Sequence, residues 1–145
     1  MGYNETLDRF ETKGKGVFTA KLQNVMCLCD SLKICKFMLL GGVTLKTICT
    51  WLNAVTGENN TIENLLKKGE AIFNLKRMYN NRMGITKKDD DISKRVLTEA
   101  FTAGGAKNKL PSLEVMIEEY YSYRKWDADG APCSTKIKEL ELTEY

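Results

Sequence analysis

Histidine is absent from this chain of 145 residues, and proline occurs only at Pro111 and Pro132. Without imidazole, the chain has neither the most common general base of enzymes nor the nitrogen ligand of many zinc sites. Thiolates and carboxylates are left as its anionic metal ligands. Because average usage of about 5% would place roughly five prolines in residues 1–110, their absence there favours long uninterrupted helices.

Long hydrophobic runs are also missing. The uncharged stretch over residues 37–45 is short, whereas a membrane-spanning helix needs about 20 largely apolar residues. The first residues include Glu5 and Asp8 and lack the apolar stretch of a secretory signal. The sequence therefore predicts a protein without a membrane span and with a cytoplasmic location.

A strong net charge and a paired set of cysteines are absent as well. The 22 basic and 19 acidic residues leave a net charge of +3, spread along the chain. This balance gives no support for nucleic acid as a partner. The five cysteines are odd in number, and no other feature indicates an oxidising compartment. Reduced thiols are therefore expected.

The chain does have the composition of one globular domain, with 43% hydrophobic and 28% charged residues. A single core is the usual outcome at this length. Residues 1–16 are polar, with glycines near the end of the segment, and are predicted to form an N-terminal arm. Residues 17–145 are predicted to form one helical domain.

Apolar residues recur at helical spacing through most of the chain, and no segment alternates as a half-buried strand would. The spacing predicts helices over residues 17–29, 43–55, 60–82, 112–125 and 135–142. Gly69, inside the third of these helices, predicts the close approach of another element. The segment 85–111 loses this periodicity and is predicted to be mainly surface loop.

The fold class is therefore all-α, with several helices around a single core. The residues predicted to lie in that core are Leu22, Val25, Leu52, Leu65, Ile72, Leu75, Met116 and Tyr120.

Two clusters of residues have both a functional and a structural interpretation. Asp89-Asp90-Asp91 is the densest acidic cluster, but the Gly and Glu of a calcium loop do not follow it, which favours a solvated loop over a cation site. Segment 120–126 has three tyrosines and a tryptophan beside two cations, a composition that suits stacking against single-stranded nucleic acid. Because Tyr120 and Tyr121 lie on the apolar side of a predicted helix, packing in the core is favoured instead.

Four segments follow one another in the order of known signatures. Residues 30–35, DSLKIC, correspond to D-x-x-G-L-C, and residues 68–80, KGEAIFNLKRMYN, to a run around Gly-Glu-x-Ile/Phe-Asn-Leu. Residues 89–95, DDDISKR, correspond to D-D-x-L-P-x-R, and residues 120–127, YYSYRKWD, to Y-Y-x-x-R-G-W-D. In this set the chain resembles the C-terminal helical domain of the aldehyde ferredoxin oxidoreductase family, the tungsten or molybdenum pterin enzymes.

The resemblance implies that the parent enzymes oxidise aldehydes to carboxylic acids. Electrons pass from a bis-pterin tungsten or molybdenum centre through a [4Fe-4S] cluster to ferredoxin. The resemblance also implies that Cys35 is the one cluster ligand in this domain and that Asp30 binds the pterin, since a carboxylate accepts hydrogen bonds from pterin N–H groups. Lys33, Ile34 and Lys36 complete the candidate cofactor-binding segment.

The leading hypothesis is therefore a C-terminal domain or split subunit of an aldehyde ferredoxin oxidoreductase. Its expected partners are the N-terminal pterin-binding domain and ferredoxin, with neither nucleic acid nor a membrane. The other three cluster cysteines and the pterin-binding domain have no counterpart in this sequence. The isolated chain is accordingly expected to carry no cofactor and to be inactive.

Several signature positions differ in this chain. Lys33 and Lys125 stand where the signatures have Gly, Ile34 stands for Leu, and Ser93 stands for Pro. The two lysines keep a second hypothesis open, in which the chain is a cofactor-free helical interaction module derived from the family.

The leading hypothesis makes a structural prediction about the cysteines. Asp30 and Cys35 should lie exposed on a loop at one end of the domain, whereas Cys27 and Cys49 should be buried. Apolar side chains beside that loop, at residues 37–38, should also be exposed where the missing domain would dock.

Overall fold

The computed structural model describes residues 7–142, and over this range the protein is helical. The helices are α1 (Lys15–Ser31), α2 (Lys36–Leu40), α3 (Leu45–Thr56), α4 (Ile62–Arg82), α5 (Lys94–Thr98), α6 (Leu113–Arg124) and α7 (Ser134–Glu139), with a 3-10 turn at Lys87–Asp89. No strand forms within residues 7–142, where extended residues are linked only by two isolated bridges. The predicted all-α fold is confirmed.

The longer helices begin and end where the sequence supplies caps. Helix α3 follows Thr44, whose hydroxyl accepts a hydrogen bond from a main-chain N–H of the first turn, and it ends at Gly57 with a φ of 74°. Helix α4 follows Thr61, which caps it in the same way. The helix predicted from residue 60 begins instead at Ile62, because the Asn60 main chain and side chain bond to Asn53.

Helix α1 lies between α4 and α6 and contacts both. A Cβ placed on Gly69 of α4 would lie 2.2 Å from the carbonyl oxygen of Asn24, so α1 and α4 touch backbone to backbone. On the other side, a Cβ on Gly16 would lie 2.3 Å from the carbonyl oxygen of Met116 in α6. The predicted close approach at Gly69 is confirmed, and a second glycine has the same function at the α1–α6 contact.

The hydrophobic core lies where the first four helices meet. Its buried members are Val25, Leu28, Cys29, Leu39, Leu45, Ile48, Cys49 and Leu65. Two predicted core residues, Val25 and Leu65, are among them, and Leu52 packs against the core while partly exposed. The prediction was wrong in placing the other five at the same depth, since they are only half-buried: Leu22, Ile72, Leu75, Met116 and Tyr120.

The reason for this difference is the polar interior between α1, α4 and α6. Asn24, Asn74, Arg77 and Arg124 are all buried there. The apolar periodicity of the sequence does not identify such polar residues as buried. The apolar residues that it does identify therefore lie at the edge of this polar interior.

The start of α1 and the presence of two short helices differ from the sequence prediction. Helix α1 begins at Lys15, inside the predicted arm, and the main-chain N–H of Gly14 donates to the Glu119 carboxylate at 2.9 Å, so the end of the arm is packed. Residues 1–6 of the arm lie outside the described residues. Helices α2 and α5 were not predicted as helices, because five residues are too few to show a helical period.

Among residues 7–142, no helix is long and apolar enough to cross a membrane.

Candidate functional site

The chain leaves α1 through a tight turn centred on Lys33. Lys33 has a φ of 57°, in the left-handed region. The main-chain N–H of Ile34 donates to the carbonyl of Cys29 at 2.8 Å, and that of Leu32 donates to Leu28 at 3.0 Å. This pattern satisfies carbonyls at a helix end and reverses the chain. Cys35 follows with extended backbone as the N-cap residue of α2.

The turn brings all five sequence-predicted site residues together. Asp30, Lys33, Cys35 and Lys36 are exposed, whereas Ile34 is partly buried and packs against the core. The predicted exposure of Asp30 and Cys35 is therefore confirmed, but the predicted loop position is wrong for Asp30, which lies in the last turn of α1. Ile34 anchors the turn to the rest of the domain. The roles of these residues toward a cofactor stay predictions.

The other cysteines have different surroundings. Cys27, Cys29 and Cys49 are buried, with relative exposures of 4%, 2% and 8%. Burial raises the pKa of the Cys27 and Cys29 thiols, which keeps both neutral. Cys133 is half-exposed at the start of α7, where a hydrogen bond with the Thr135 hydroxyl lowers its pKa. The predicted burial of Cys27 and Cys49 is confirmed, and Cys35 is the most exposed thiol of the chain.

A polar cluster joins three of the signature-like segments. The Arg77 guanidinium of α4 binds the two carboxylate oxygens of Asp90 at 2.8 and 2.7 Å, and the Tyr121 hydroxyl of α6 donates to the same carboxylate. Burial and the bond to Asp90 raise the pKa of Tyr121. The Arg77 Nε also donates to the Gly130 carbonyl at 2.7 Å. Segments 68–80, 89–95 and 120–127 thus hold one another in place.

The aromatic residues of segment 120–126 belong to this cluster. The Trp126 ring lies 5.4 Å from the Tyr120 ring and 5.5 Å from the Tyr121 ring, centre to centre, and the Arg77 guanidinium lies 4.7 Å from its centre. The Trp126 indole N–H donates to Asn74 Oδ1 at 2.8 Å. The rings therefore pack against the domain, as the core interpretation predicts.

Two residues of the acidic cluster at residues 89–91 stabilise the fold, whereas the sequence pattern favoured a solvated loop. The Asp89 carboxylate accepts a hydrogen bond from the main-chain N–H of Thr86, the N-cap residue of the 3-10 turn. Asp90 is the half-buried ion-pair partner of Arg77. Sequence reasoning missed the Arg77–Asp90 pair. The one available signal was that both residues lie in segments that match signatures.

The donors of the Lys33 turn amount to one thiol and one carboxylate. Over residues 7–142, no three Cys, Asp or Glu side chains converge in a way that could hold a metal ion. A [4Fe-4S] cluster is usually held by four thiolates. The turn therefore has the donors to supply one ligand to a cluster whose other ligands come from another part of an enzyme. It does not form a complete metal site by itself.

Comparison with known proteins identifies the family of the chain. A family model described as aldehyde ferredoxin oxidoreductase, domains 2 & 3, matches residues 2–142. The chain belongs to the aldehyde ferredoxin oxidoreductase family. Its all-α fold over residues 7–142 is consistent with a helical C-terminal domain of this family.

Relatives in this family are named tungsten-containing aldehyde ferredoxin oxidoreductases. The chain is 34% identical to the one from Pyrococcus furiosus, 32% identical to that from Pyrococcus abyssi and 31% identical to that from Pyrococcus horikoshii. Each match covers 100% of this chain and 24% of the relative. The chain thus spans about a quarter of the length of these curated relatives.

The two lysines that replace signature glycines of the aldehyde ferredoxin oxidoreductases share one backbone conformation. Lys33 follows Leu32, the C-cap residue of α1, and has a φ of 57°, whereas Lys125 is itself the C-cap residue of α6 and has a φ of 53°. This left-handed region favours glycine because a Cβ crowds the following carbonyl, at a cost of about 1–2 kcal/mol. Both departures therefore lie at helix ends, where the glycine preference has a structural reason.

We predict that Lys33→Gly raises the free energy of unfolding by about 0.5–1 kcal/mol, because relief of the left-handed strain exceeds the entropy gained by the unfolded chain. Lys125→Gly should gain less, because it also removes the ion pair between Lys125 and Glu139 at 3.0 Å. Urea denaturation followed by circular dichroism measures the change. Lys46→Gly, inside α3, is the matched control and should lower the free energy by up to about 1 kcal/mol. A loss of stability in Lys33→Gly would mean that the lysine side chain contributes more than its backbone costs.

Proposed function

We propose that this chain forms the helical side of the cofactor site in an aldehyde:ferredoxin oxidoreductase. In this proposal the Cys35 thiolate is one ligand of a [4Fe-4S] cluster, and the Asp30 carboxylate accepts hydrogen bonds from pterin N–H groups. Tungsten is the proposed metal, since the relatives are named tungsten-containing enzymes. In this proposal the pterin-binding domain and the other cluster thiolates lie in the three quarters of the relatives that this chain does not match.

The observation that carries this proposal is the contrast between Cys35 and the buried cysteines. A ligand that is shared with another domain must project from its own domain, whereas a packing cysteine gains stability by being enclosed. Cys35 is exposed, and Cys27, Cys29 and Cys49 are buried. Cys133 is half-exposed. The turn therefore offers the most exposed thiol of the five to a cluster held mainly by another domain.

The chain's own residues have positioning roles in this proposal. When bound, the tungsten-pterin centre and the cluster supply the redox chemistry, in which an aldehyde and water give a carboxylic acid, two protons and two electrons that leave through the cluster to ferredoxin. Asp30 and Cys35 lie at the two ends of one turn, which Ile34 anchors to the core. A rigid turn would keep the pterin and the cluster at a constant separation for electron transfer.

The alternative is a cofactor-free helical interaction module derived from the family. Its sequence basis was the pair of lysines in place of glycine. Both lysines lie at left-handed helix ends, so their presence does not require the loss of a cofactor. The two proposals differ in whether the completed enzyme needs the Cys35 thiol for its iron.

The test is a Cys35→Ser variant of this chain, produced together with the pterin-binding region encoded by the same organism. The unmodified complex should contain about four iron and four sulfide ions and give an electron paramagnetic resonance signal when reduced. Cys35→Ser should lower the iron content and alter that signal. Cys133→Ser, at the half-exposed thiol, is the matched control and should change neither.

The isolated chain provides the baseline and is expected to be colourless and free of iron. Equal iron content and an unchanged resonance signal in Cys35→Ser would overturn the cluster proposal and favour the interaction module. A brown isolated chain with about four irons would contradict the assignment of a single ligand to this domain.

A cytoplasmic location is part of the proposal. All five cysteines are free thiols, which is the usual state in a reducing compartment.

A further inference from the structure

Helix α2, directly after Cys35, carries apolar side chains that the described chain leaves uncovered. Phe37 is 68% exposed, Leu40 is 64% exposed and Met38 is 39% exposed. Their neighbour Leu39 is buried and fixes the helix to the core. We call Phe37, Met38 and Leu40 the α2 surface. Clusters of large exposed apolar residues mark interaction sites in many proteins.

The segment that carries the α2 surface contains charge of one sign. Between Asp30 and Glu58 the sequence contains three lysines and no acidic residue. One of them, Lys36, places its ammonium group 5.9 Å from the centre of the Phe37 ring. A complementary partner would therefore present apolar side chains edged by negative charge.

We infer that the α2 surface is the docking site for the pterin-binding domain of the same enzyme. The inference rests on the proposed function, because that function requires another domain to reach Cys35. The chain corresponds to only 24% of its relatives, so most of the enzyme is available to cover this surface.

The position of Cys35 connects the docking surface to the cofactor turn. Cys35 is the N-cap residue of α2, and its carbonyl accepts a hydrogen bond from the Met38 N–H at 2.9 Å. A domain that shares a cluster with Cys35 must approach this helix end. Phe37 and Leu40, three positions apart, lie on neighbouring positions of one helix face and would meet the same domain.

Docking on α2 also gives the surface a function in the chemistry. Because the helix is little more than one turn long and Cys35 is its N-cap residue, contact with Phe37 and Leu40 would also hold the thiol in place. The α2 surface is thus a positioning surface, and no residue of it binds the cofactor.

The test measures the dissociation constant between this chain and the pterin-binding region from the same organism, by isothermal titration calorimetry. The double variant Phe37→Gln/Leu40→Gln should weaken binding at least about tenfold, since buried aromatic and aliphatic anchors dominate interface affinity. The matched control is Phe101→Gln/Leu110→Gln, in the loop between α5 and α6, where the side chains are 70% and 45% exposed. It should leave the affinity unchanged.

The charge part of the inference has its own variant. Lys36→Glu should weaken binding, and the affinity of the unmodified chain should fall as salt is added, because screening reduces attraction between exposed charges. Lys94→Glu, at the start of helix α5, is the control and should have no effect. An affinity that does not depend on Lys36 or on salt would contradict the predicted negative edge of the partner.

Two results would overturn the docking inference. One is equal affinity for the α2 double variant and its control. The other is an isolated chain that sediments as a dimer and becomes monomeric in the α2 double variant, because the occupant would then be a second copy. If Cys35→Ser loses iron while the α2 variant binds normally, the proposed function stands and the docking site fails. If the α2 variant binds weakly while Cys35→Ser keeps its iron, the docking site stands and the cluster role fails.

Discussion

Gly69→Ala is expected to lower the free energy of unfolding by about 3 kcal/mol or more, the upper range for overpacking a well-packed interior. Helix propensity alone predicts the opposite, a gain of about 1 kcal/mol for alanine inside a helix. Packing decides the sign because a Cβ at this position would lie 2.2 Å from the Asn24 carbonyl oxygen and 3.0 Å from its carbonyl carbon. Both atoms are main chain, so α1 and α4 must move apart to accept the methyl group.

Urea denaturation of the purified variant measures this loss. Gly105→Ala is the matched control, since a Cβ there would lie at an ordinary 3.7 Å from the nearest atom, in the Phe10 ring. Its effect should stay within about 0.5 kcal/mol. If Gly69→Ala were instead more stable than the unmodified chain, helix propensity would outweigh packing and the backbones of α1 and α4 would be farther apart than described.

Gly69 also illustrates how much of the fold the sequence predicts. A glycine inside a long apolar stripe indicated a close helix contact, and the same stripes located α1, α3, α4, α6 and α7 within a few residues of their observed bounds. Each of these helices turns apolar residues toward a neighbour, which leaves a period in the sequence. Helices α2 and α5 leave none, because five residues form little more than one turn.

The candidate site was only partly predictable, for physical reasons. The spacing of Asp30 and Cys35 in one short segment made it visible, and its exposure followed from the role that the resemblance implies. The left-handed conformation of Lys33 was hidden, since the residue itself disfavours it. The Arg77–Asp90 pair was hidden too, because its members lie 13 positions apart on different elements and no local pattern joins them.

The buried arginine of α6 was the least predictable feature. Arg124 lies in a segment whose cations and rings suited stacking on nucleic acid, yet it is fully buried, with a relative exposure of 0%. Its guanidinium donates to Asn24 Oδ1 at 2.7 Å, to the Ala20 carbonyl at 2.9 Å and to Gln23 Oε1 at 3.1 Å. These described partners are all neutral oxygens of α1, so the hydrogen bonds by which Arg124 joins α6 to α1 go to uncharged acceptors.

Arg124→Ala is therefore expected to lower the free energy of unfolding by about 4 kcal/mol, because it leaves a cavity and removes the donor from buried acceptors. The Phe73 ring, 4.2 Å from the guanidinium, loses a packing partner as well. Arg124→Met keeps most of the volume and should cost about half as much, the part due to unpaired acceptors.

Arg95→Ala is the matched control for this prediction, since the Arg95 side chain is 81% exposed and pairs with Glu99 on the surface. Its cost should stay below about 1 kcal/mol. All three variants are compared by urea denaturation under the same conditions. Equal losses in Arg124→Ala and Arg95→Ala would mean that the Arg124 guanidinium is solvated. An Arg124→Met variant as stable as the unmodified chain would instead show that volume, and not hydrogen bonding, joins α6 to α1.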